Sequence, residues 1–310
     1  MNTMGDAAGR LALALGGGRA ARLAALALIE ADMIGQPRFG MDMLGEWAPD
    51  ARPLPPADAP HAVSWLDCSG CFAPLAVADA TLRLAPVARQ FGVAAMFLRG
   101  VRGFGRLAPF VRHLADCGLV AMAGAEGPPF VAPWQGKQAV IGTNPFALAL
   151  GQGADRVVID MASSATTMAA LRSARASGTP LPDGIALDSA GAPTRLAAEV
   201  AALLPRGGQL GSLLGLVVEL LAGIAGGGRG DAQGRGVFLL AIDPAQDGGM
   251  ADWPARLAAL REDWAGAGGY WPGTHTPAED DDLPDTVLHR LTAQLARMAG
   301  AAPDPLDTRP

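Results

Sequence analysis

One stretch, residues 137–164, most constrains how this chain folds. It reads KQAVIGTNPFALALGQGADRVVIDMASS and contains apolar runs at 146–150 and 157–159. Both runs are too short for helices and are bounded by Gly, Pro or Asn, so they predict buried strands. Two polar corners, residues 142–145 and 160–164, therefore fall at strand ends. Because ligands of α/β sheets bind at such ends, the two corners are candidate binding sites.

The composition of the 310 residues limits the class of protein. Of these residues 50% are hydrophobic and 17% are charged, so the chain is able to bury one large core or two modest ones. The net charge is −6 and the 24 Lys and Arg residues form no cluster, which argues against nucleic acid or a membrane as a partner. Residues 11–29 are rich in Ala and Leu but contain glycines and arginines, so we predict an amphipathic helix facing the core.

Cysteine usage bears on location and on metal binding. Three cysteines, an odd number, favour a reducing compartment, and we predict a cytoplasmic protein. Cys68 and Cys71 have the spacing of a redox or metal pair, but no second pair completes a metal site. We interpret residues 68–71 as a turn after a strand and expect no metal.

Apolar periodicity predicts the remaining elements. We expect strands at 63–66 and 93–98, and helices at 75–91, 164–176, 196–204, 213–224 and 285–298. Helix 213–224 is apolar on nearly every face, which predicts that it is buried. Residues 120–237 are rich in glycine near both ends, which suits either the two crossings of a discontinuous domain or a flexible hairpin. We predict a large domain, 1–112 plus 237–310, and a smaller middle domain, 113–236, that carries both polar corners.

Four motifs resemble those of one known family. They are GTNP at 142–145, DMASS at 160–164, DSAGAPT at 188–194 and LPRGG at 204–208. Their order and spacing are similar to those of the malate/L-lactate dehydrogenase family, which includes ureidoglycolate and sulfolactate dehydrogenases and cyclic-imine reductases. The resemblance implies a mixed-sheet, two-domain α/β fold that is not of the Rossmann type. It also implies NADH or NADPH as cofactor, a small-molecule substrate and a homodimer.

The resemblance assigns roles to the matching positions. Asp160 is the family-type catalytic acid that is still in place. The cofactor contacts that it implies are Thr143, Asn144, Asp160, Met161, Ala162, Ser163, Pro272 and Gly273. The substrate-pocket positions that it implies are Arg38, Phe39, Met43, Arg102, Gly103 and Leu210.

Four of these positions depart from the family pattern. Phe39 and Gly103 stand where relatives carry histidines, Met43 where they carry a substrate-binding arginine, and Leu210 where they carry a cofactor-binding lysine. Glycine has no side-chain group that could transfer a proton. A methionine cannot form an ion pair with a carboxylate, so we expect poor binding of a 2-oxo or 2-hydroxy acid. We also expect Asp160 to be desolvated without a nearby cation, which raises its pKa.

Three functions remain open. The first is a divergent NAD(P)-dependent oxidoreductase that reduces an imine or a less acidic carbonyl compound. The second is a catalytically inactive paralogue that binds a ligand or partners an active enzyme, and the third is a recruited non-redox enzyme of a specialised pathway. The joint loss of several polar side chains favours the second. We place the oxidoreductase first, because hydride transfer needs only a positioned cofactor and substrate.

Overall fold

A computed structural model describes residues 3–47, 51, 54–55, 60–231, 234–273 and 276–300. The predicted domain ranges also include residues 1–2, 48–50, 52–53, 56–59, 232–233, 274–275 and 301–310, which lie outside the described residues. The strands are β1 (Val63–Asp67), β2 (Val93–Val101), β3 (Val120–Ala125), β4 (Phe146–Leu150), β5 (Val157–Met161), β6 (Ala186–Leu187), β7 (Ala202–Leu203) and β8 (Arg235–Ile242). The α-helices are α1 (Met4–Ala14), α2 (Gly18–Met33), α3 (Ala73–Phe91), α4 (Ala108–Asp116), α5 (Met168–Ser177), α6 (Gln209–Val218), α7 (Trp253–Gly266) and α8 (Asp285–Met298).

Six of the strands form one mixed sheet in the order β1-β2-β8-β3-β4-β5. Strands β1 and β2 run parallel, and each of the other neighbouring pairs is antiparallel. A Rossmann sheet is mostly parallel, so the predicted mixed-sheet, non-Rossmann α/β fold is confirmed. The short strands predicted at 146–150 and 157–159 lie next to each other as β4 and β5. Strand β4 begins directly after the first polar corner, and β5 ends in the second.

Helices cover the sheet in two layers. Helix α3 buries residues at helical spacing, among them Ala76, Ala80 and Leu84, in one apolar cluster with the sheet residues Leu98 and Leu239. A second cluster joins α1, α2 and α8 to the outer side of α3 and α4. Helix α2 is therefore buried on most of its surface. Residues 36–46 pack against α2 in this layer and lie near the end of β5.

A separate apolar cluster lies in the middle of the chain. It contains Val131, Ile141, Leu171, Leu181 and Leu203 and surrounds the two-stranded sheet of β6 and β7. Strands β3, β4 and β5 also fall within the range 113–236, but they belong to the six-stranded sheet. The proposed division into 1–112 plus 237–310 and 113–236 stays a prediction.

Two predicted helices are wrong. Residues 11–29 form parts of two helices, because Gly16 and Gly17 between them have φ angles of +101° and +77°, which a continuous right-handed helix excludes. Residues 196–204 form a short 3₁₀ turn at 197–199 and then strand β7. Ala202 and Leu203 pair with β6, so tertiary pairing overrides the helical periodicity of this segment.

Helix α6 continues into a π-helical segment, Glu219–Ala225, and its burial differs from prediction. The buried residues of this helix are mainly small, including Gly211, Gly215 and Ala222. We define the α6 apolar face as Leu210, Leu213, Leu216, Val217, Leu220, Leu221 and Ile224, whose exposed fractions lie between 38% and 78%. The prediction of near-complete burial is therefore wrong, because small residues face the protein and large ones face outward. Among the described residues no helix is both long and apolar enough to cross a membrane.

Candidate functional site

A cavity of about 500 Å³ lies where the two polar corners meet the helical layer. Six chain segments contribute to its wall: 36–46, 103–107, 125–127, 143–145, 160–162 and 167–172. A larger cavity, about 720 Å³, follows strand β1 beside Trp65 and contains none of the predicted site residues. The smaller cavity is the candidate site because the strand-end motifs converge on it.

Many of the predicted site residues line this cavity together. They are Arg38, Phe39, Met43, Gly103, Thr143, Asp160, Met161 and Ala162. The loop before α4 packs directly on residues 39–43: a Cβ atom at Gly105 would lie 2.8 Å from the carbonyl oxygen of Phe39. A Cβ at Gly103 would lie 3.4 Å from Cε of Met43. The predicted substrate positions and the polar corners thus share one space, although the role of each residue stays a prediction.

Asn144 and Ser163 have structural contacts next to the cavity. Asn144 is fully buried; its Oδ1 accepts a hydrogen bond from the Gly127 N–H at 3.1 Å. Its Nδ2 donates to the carbonyl oxygen of Gly215 and to Glu219 Oε2, both at 2.9 Å. Ser163 Oγ donates to a backbone carbonyl at 2.9 Å. These side chains hold the corner in shape, and they are not part of the cavity wall.

Four other predicted residues lie elsewhere. Pro272 and Gly273 run beside the outer edge of β5, where the Val158 N–H donates to the carbonyl oxygen of Pro272 at 3.1 Å. Leu210 begins α6 and is 78% exposed. Arg102 precedes the cavity-lining part of its loop. The expectation that Leu210 shares the cavity is wrong, because the first turn of α6 directs it to solvent.

Asp160, at the end of β5, contacts both the cavity and helix α4. Its Oδ2 accepts a hydrogen bond from the N–H of Ala108, the first residue of α4, at 3.0 Å. Such N–H groups have no partner within the helix, and a carboxylate there is stabilised by the helix dipole. Burial raises the pKa of Asp160, and Arg106 and the Ala108 N–H oppose that rise. The direction is the predicted one.

The expectation that no cation lies near Asp160 is wrong. Arg106 Nε is 3.9 Å from Asp160 Oδ2, because the loop 103–107 returns to the end of β5 before α4 begins. Arg106 Nη1 also donates to Oε1 of Glu30 at 2.8 Å. Glu30, on α2, is 1% exposed, and its other oxygen pairs with Arg112. We call Glu30, Arg106, Arg112 and Asp160 the charge cluster.

The sequence interpretation missed Glu30 and Arg112. A signal was present, because Glu30 lies one helical turn from the apolar residues of α2 that face the core. An acid in a core-facing position is rare unless it is paired. Its partners could not be read from the sequence, because Arg106 and Arg112 are distant along the chain. Their positions depend on how α4 packs against α2.

Glu126 is a second acid that the sequence interpretation missed. It follows β3, is 5% exposed and lines the cavity. Its Oε1 accepts a hydrogen bond from the Gly236 N–H at 3.2 Å. Burial raises the pKa of Glu126, and the nearby Glu219 adds to that rise. The cavity therefore has two carboxyl groups that retain a proton to higher pH than ordinary acids.

The cysteines and other candidate ligands form no metal centre in the part of the chain that the structure describes. There, no group of three or more His, Cys, Asp or Glu side chains is close enough to hold an ion. Cys68 and Cys71 occupy the turn after β1, where the Cys71 N–H donates to the Cys68 carbonyl oxygen at 2.9 Å. The interpretation of residues 68–71 as a turn is confirmed.

Comparison with known proteins identifies the family. The family model described as malate/L-lactate dehydrogenase matches residues 17–271. The chain belongs to the malate/L-lactate dehydrogenase family. It is 34% identical to the (2R)-3-sulfolactate dehydrogenase (NADP(+)) of Chromohalobacter salexigens, over 88% of this chain and 90% of that protein. It is also 34% identical to the Δ1-pyrroline-2-carboxylate reductase of Ancylobacter novellus, over 72% of this chain and 69% of the relative.

A solved structure of the malate/L-lactate dehydrogenase family has the same fold. The Δ1-piperideine-2-carboxylate reductase from Pseudomonas syringae superposes with a TM-score of 0.71 at 27% identity, covering 99% of this chain and 97% of that one. The predicted family membership is therefore confirmed. Phe39, Met43 and Gly103 line the cavity of this chain, and their departure from the family pattern stays a prediction.

Proposed function

We propose that this chain is an oxidoreductase that uses NADH or NADPH to reduce a small imine or carbonyl compound. One observation carries the proposal: the cavity brings Asp160, whose pKa is raised by burial, into the same space as both strand-end corners. The relatives support the same class. One is named as an NADP(+)-dependent dehydrogenase and another as a cyclic-imine reductase.

The residues of the cavity fit a nicotinamide group. A volume of about 500 Å³ is within the usual range of small-molecule sites. Thr143 lines the cavity, and its hydroxyl has no hydrogen-bond partner among the described residues. Thr143 and the peptide groups of Met161 and Ala162 would hold the carboxamide and ribose hydroxyls, which need such donors and acceptors. When bound, NADH or NADPH supplies a hydride at this site.

The residues of the chain supply the rest of the chemistry. Asp160 is placed to give a proton to the substrate nitrogen or oxygen as the carbon gains the hydride, and its raised pKa favours the protonated form. Phe39 and Met43 form an apolar wall that excludes water from the reacting atoms. In this proposal Asp160 performs the proton transfer without a histidine.

Cofactor binding and turnover can be measured separately. Purified protein is titrated with NADH and NADPH by fluorescence, and reduction of Δ1-pyrroline-2-carboxylate and of pyruvate is then followed by cofactor absorbance. We expect cofactor binding and turnover of the imine. Binding without turnover of any imine or carbonyl would favour the inactive ligand-binding paralogue. Absence of binding at millimolar cofactor would overturn the proposal and leave the inactive paralogue and the recruited non-redox enzyme.

The proposal includes a homodimer. The α6 apolar face presents seven large aliphatic side chains on one side of a helix. Contiguous apolar surface of this kind marks protein interfaces. Most soluble oligomers consist of identical chains, so we propose a second copy of this chain as the partner. A cytoplasmic location is also part of the proposal, because Cys68, Cys71 and Cys117 form no disulfide in the described part of the chain.

A further inference from the structure

Arg106 is a cation in the wall of the cavity, and its contacts leave part of the guanidinium available. The side chain is 21% exposed. Its Nη1 donates to Glu30 Oε1 at 2.8 Å, and its Nε lies 3.9 Å from Asp160 Oδ2, beyond hydrogen-bond distance. Nη2 has no acceptor among the described residues. The guanidinium therefore retains donors for a ligand in the cavity.

The two carboxylates of the charge cluster leave parts of both guanidinium groups without a hydrogen-bond partner among the described residues. Both oxygens of Glu30 are used, one by Arg106 and one by Arg112. Asp160 directs Oδ2 to the Ala108 N–H and is only a distant partner of Arg106. The Nη1 of Arg112 is buried without a hydrogen-bond partner in the described part of the chain. When Asp160 holds a proton, two guanidinium groups face a single carboxylate.

An unbalanced positive charge in a partly buried cluster is unfavourable until an anion enters. A ligand anion that reaches Arg106 from the cavity would restore neutrality. It would also receive charge-assisted hydrogen bonds in a place from which most water is excluded, where such bonds are stronger than at the surface.

The position of Arg106 indicates which ligand supplies the anion. A Cβ atom at Gly103 or Gly105, just before Arg106, would lie within contact distance of Met43 or Phe39, which form the predicted substrate side. Thr143 and Ala162, on the predicted cofactor side, belong to other chain segments of the wall. We infer that Arg106 binds the carboxylate of an anionic substrate, an ion pair that the uncharged Met43 cannot form. This inference rests on the proposed function and narrows its substrate class.

Two other arginines of the cavity differ from Arg106. Arg38 and Arg172 are exposed and have no ion-pair partner among the described residues. Exposed cations attract anions over a distance but add little to the final affinity, because water and salt screen them. Arg172→Gln therefore serves as a matched control that removes one arginine charge from the same cavity.

The test measures affinity for a carboxylate and for its uncharged amide. Pyrrole-2-carboxylate and pyrrole-2-carboxamide are titrated calorimetrically into the protein, with and without NADPH. We expect the wild type to prefer the carboxylate and Arg106→Met to weaken its binding by about 10- to 100-fold, the worth of hydrogen bonds to a charged group. Binding of the amide should stay unchanged. Arg172→Gln should weaken carboxylate binding by less than about threefold.

A conservative variant guards against misfolding. Arg106→Lys keeps the charge but loses the bidentate geometry, so carboxylate binding should fall between wild type and Arg106→Met. If Arg106→Met does not fold, Arg106→Lys replaces it in the test. Weaker carboxylate binding by Arg106→Lys, together with unchanged amide binding, would support the inference.

Several results would overturn the inference. They are equal binding of carboxylate and amide by the wild type, unchanged carboxylate binding in the Arg106 variants, or a loss of NADPH affinity as large as the loss of carboxylate affinity. The last would show that the anion is a phosphate of the dinucleotide. Failure to bind NADPH refutes the proposed function alone, because the titration of the cofactor-free protein still tests Arg106.

Discussion

Asp160 contacts both helix α4 and the cavity. Its carboxylate accepts a hydrogen bond from the first N–H of α4 and also lines the cavity near Arg106. Helix α4 packs against strands β4 and β5 and against α2, so its start determines where the loop 103–107 lies. A change at Asp160 should therefore affect folding as well as the proposed reduction.

Removing the carboxyl of Asp160 should lower stability. Asp160→Ala leaves the Ala108 N–H without an acceptor, and we expect the free energy of unfolding to fall by about 1–2 kcal/mol. Asp160→Asn keeps an acceptor oxygen and should cost less. Urea denaturation measures both. Asp263→Ala, on the exposed side of α7, is the control and should stay within about 0.5 kcal/mol of wild type. Equal stability of Asp160→Ala and wild type would contradict the capping role.

The raised pKa of Glu126 should make the stability of the protein depend on pH. Burial raises its pKa above the ordinary value of 4.5, so the folded chain binds a proton that the unfolded chain has lost. The stability that Glu126 confers is present below pH 4.5 and is lost as pH rises through the higher folded-state pKa. Glu126→Gln keeps an acceptor for the Gly236 N–H but cannot titrate. We expect unfolding free energies measured across this window to decline less in Glu126→Gln than in wild type, and parallel curves would be evidence against the prediction.

At the scale of elements, Asn144 connects the first polar corner to its surroundings. Its side chain bonds to the backbone after β3, to a carbonyl of α6 and to Glu219 at the start of the π-helical segment. Glu219 in turn pairs with Arg229. The corner, the strand end and the helix therefore share one buried polar group. We therefore expect the shape of this corner, with Thr143 in the cavity wall, to depend on Asn144.

Asn144→Ala should destabilise the protein strongly. The change leaves an N–H, a carbonyl and a carboxylate oxygen without their partner in a buried place, which we expect to cost about 2–4 kcal/mol in the free energy of unfolding. Gln152→Ala removes an exposed side-chain hydrogen bond to a backbone carbonyl and is the control, with an expected change below about 0.5 kcal/mol. Chemical denaturation of both variants measures the difference. A similar cost for the two would show that the corner does not depend on Asn144.

At the scale of the whole molecule, the α6 apolar face is exposed to water in a single chain. Leu213, Leu216, Val217, Leu220 and Ile224 recur at helical spacing, and each is at least 45% exposed. Their side chains would gain about 25 cal/mol per Å² of apolar surface removed from water by a second copy. The face lies on the helix that also binds Asn144, so an association there would be close to the candidate site.

A charge on this face should separate the subunits. We expect wild type to have twice the chain mass of 31.5 kDa in light scattering at micromolar concentration. Leu220→Glu should give the mass of one chain, because it would place a carboxylate within an apolar interface. Leu260→Glu, at an equally exposed leucine of α7, should leave the mass unchanged. A wild type with the mass of one chain would refute the homodimer.

Much of the fold was predictable because the signals are local. The runs that became β4 and β5 are short and bounded by turn residues, and helix α8 has the predicted bounds. The resemblance also directed attention to Phe39, Met43 and Gly103, which do lie in one cavity. The helix predicted at 196–204 failed because pairing with β6, a distant segment, outweighs local propensity.

The sequence by itself determined the strands at the two polar corners, the family and the chemistry of the side chains available to the site. Only the tertiary structure decided which charges meet. Glu30, Arg106 and Asp160 are far apart along the chain, and an ion pair leaves no periodic pattern in a sequence. Hydrophobicity likewise predicted that Leu220 is buried, whereas 51% of its surface is exposed. The packing of small glycines inward on α6 decided that this leucine faces outward.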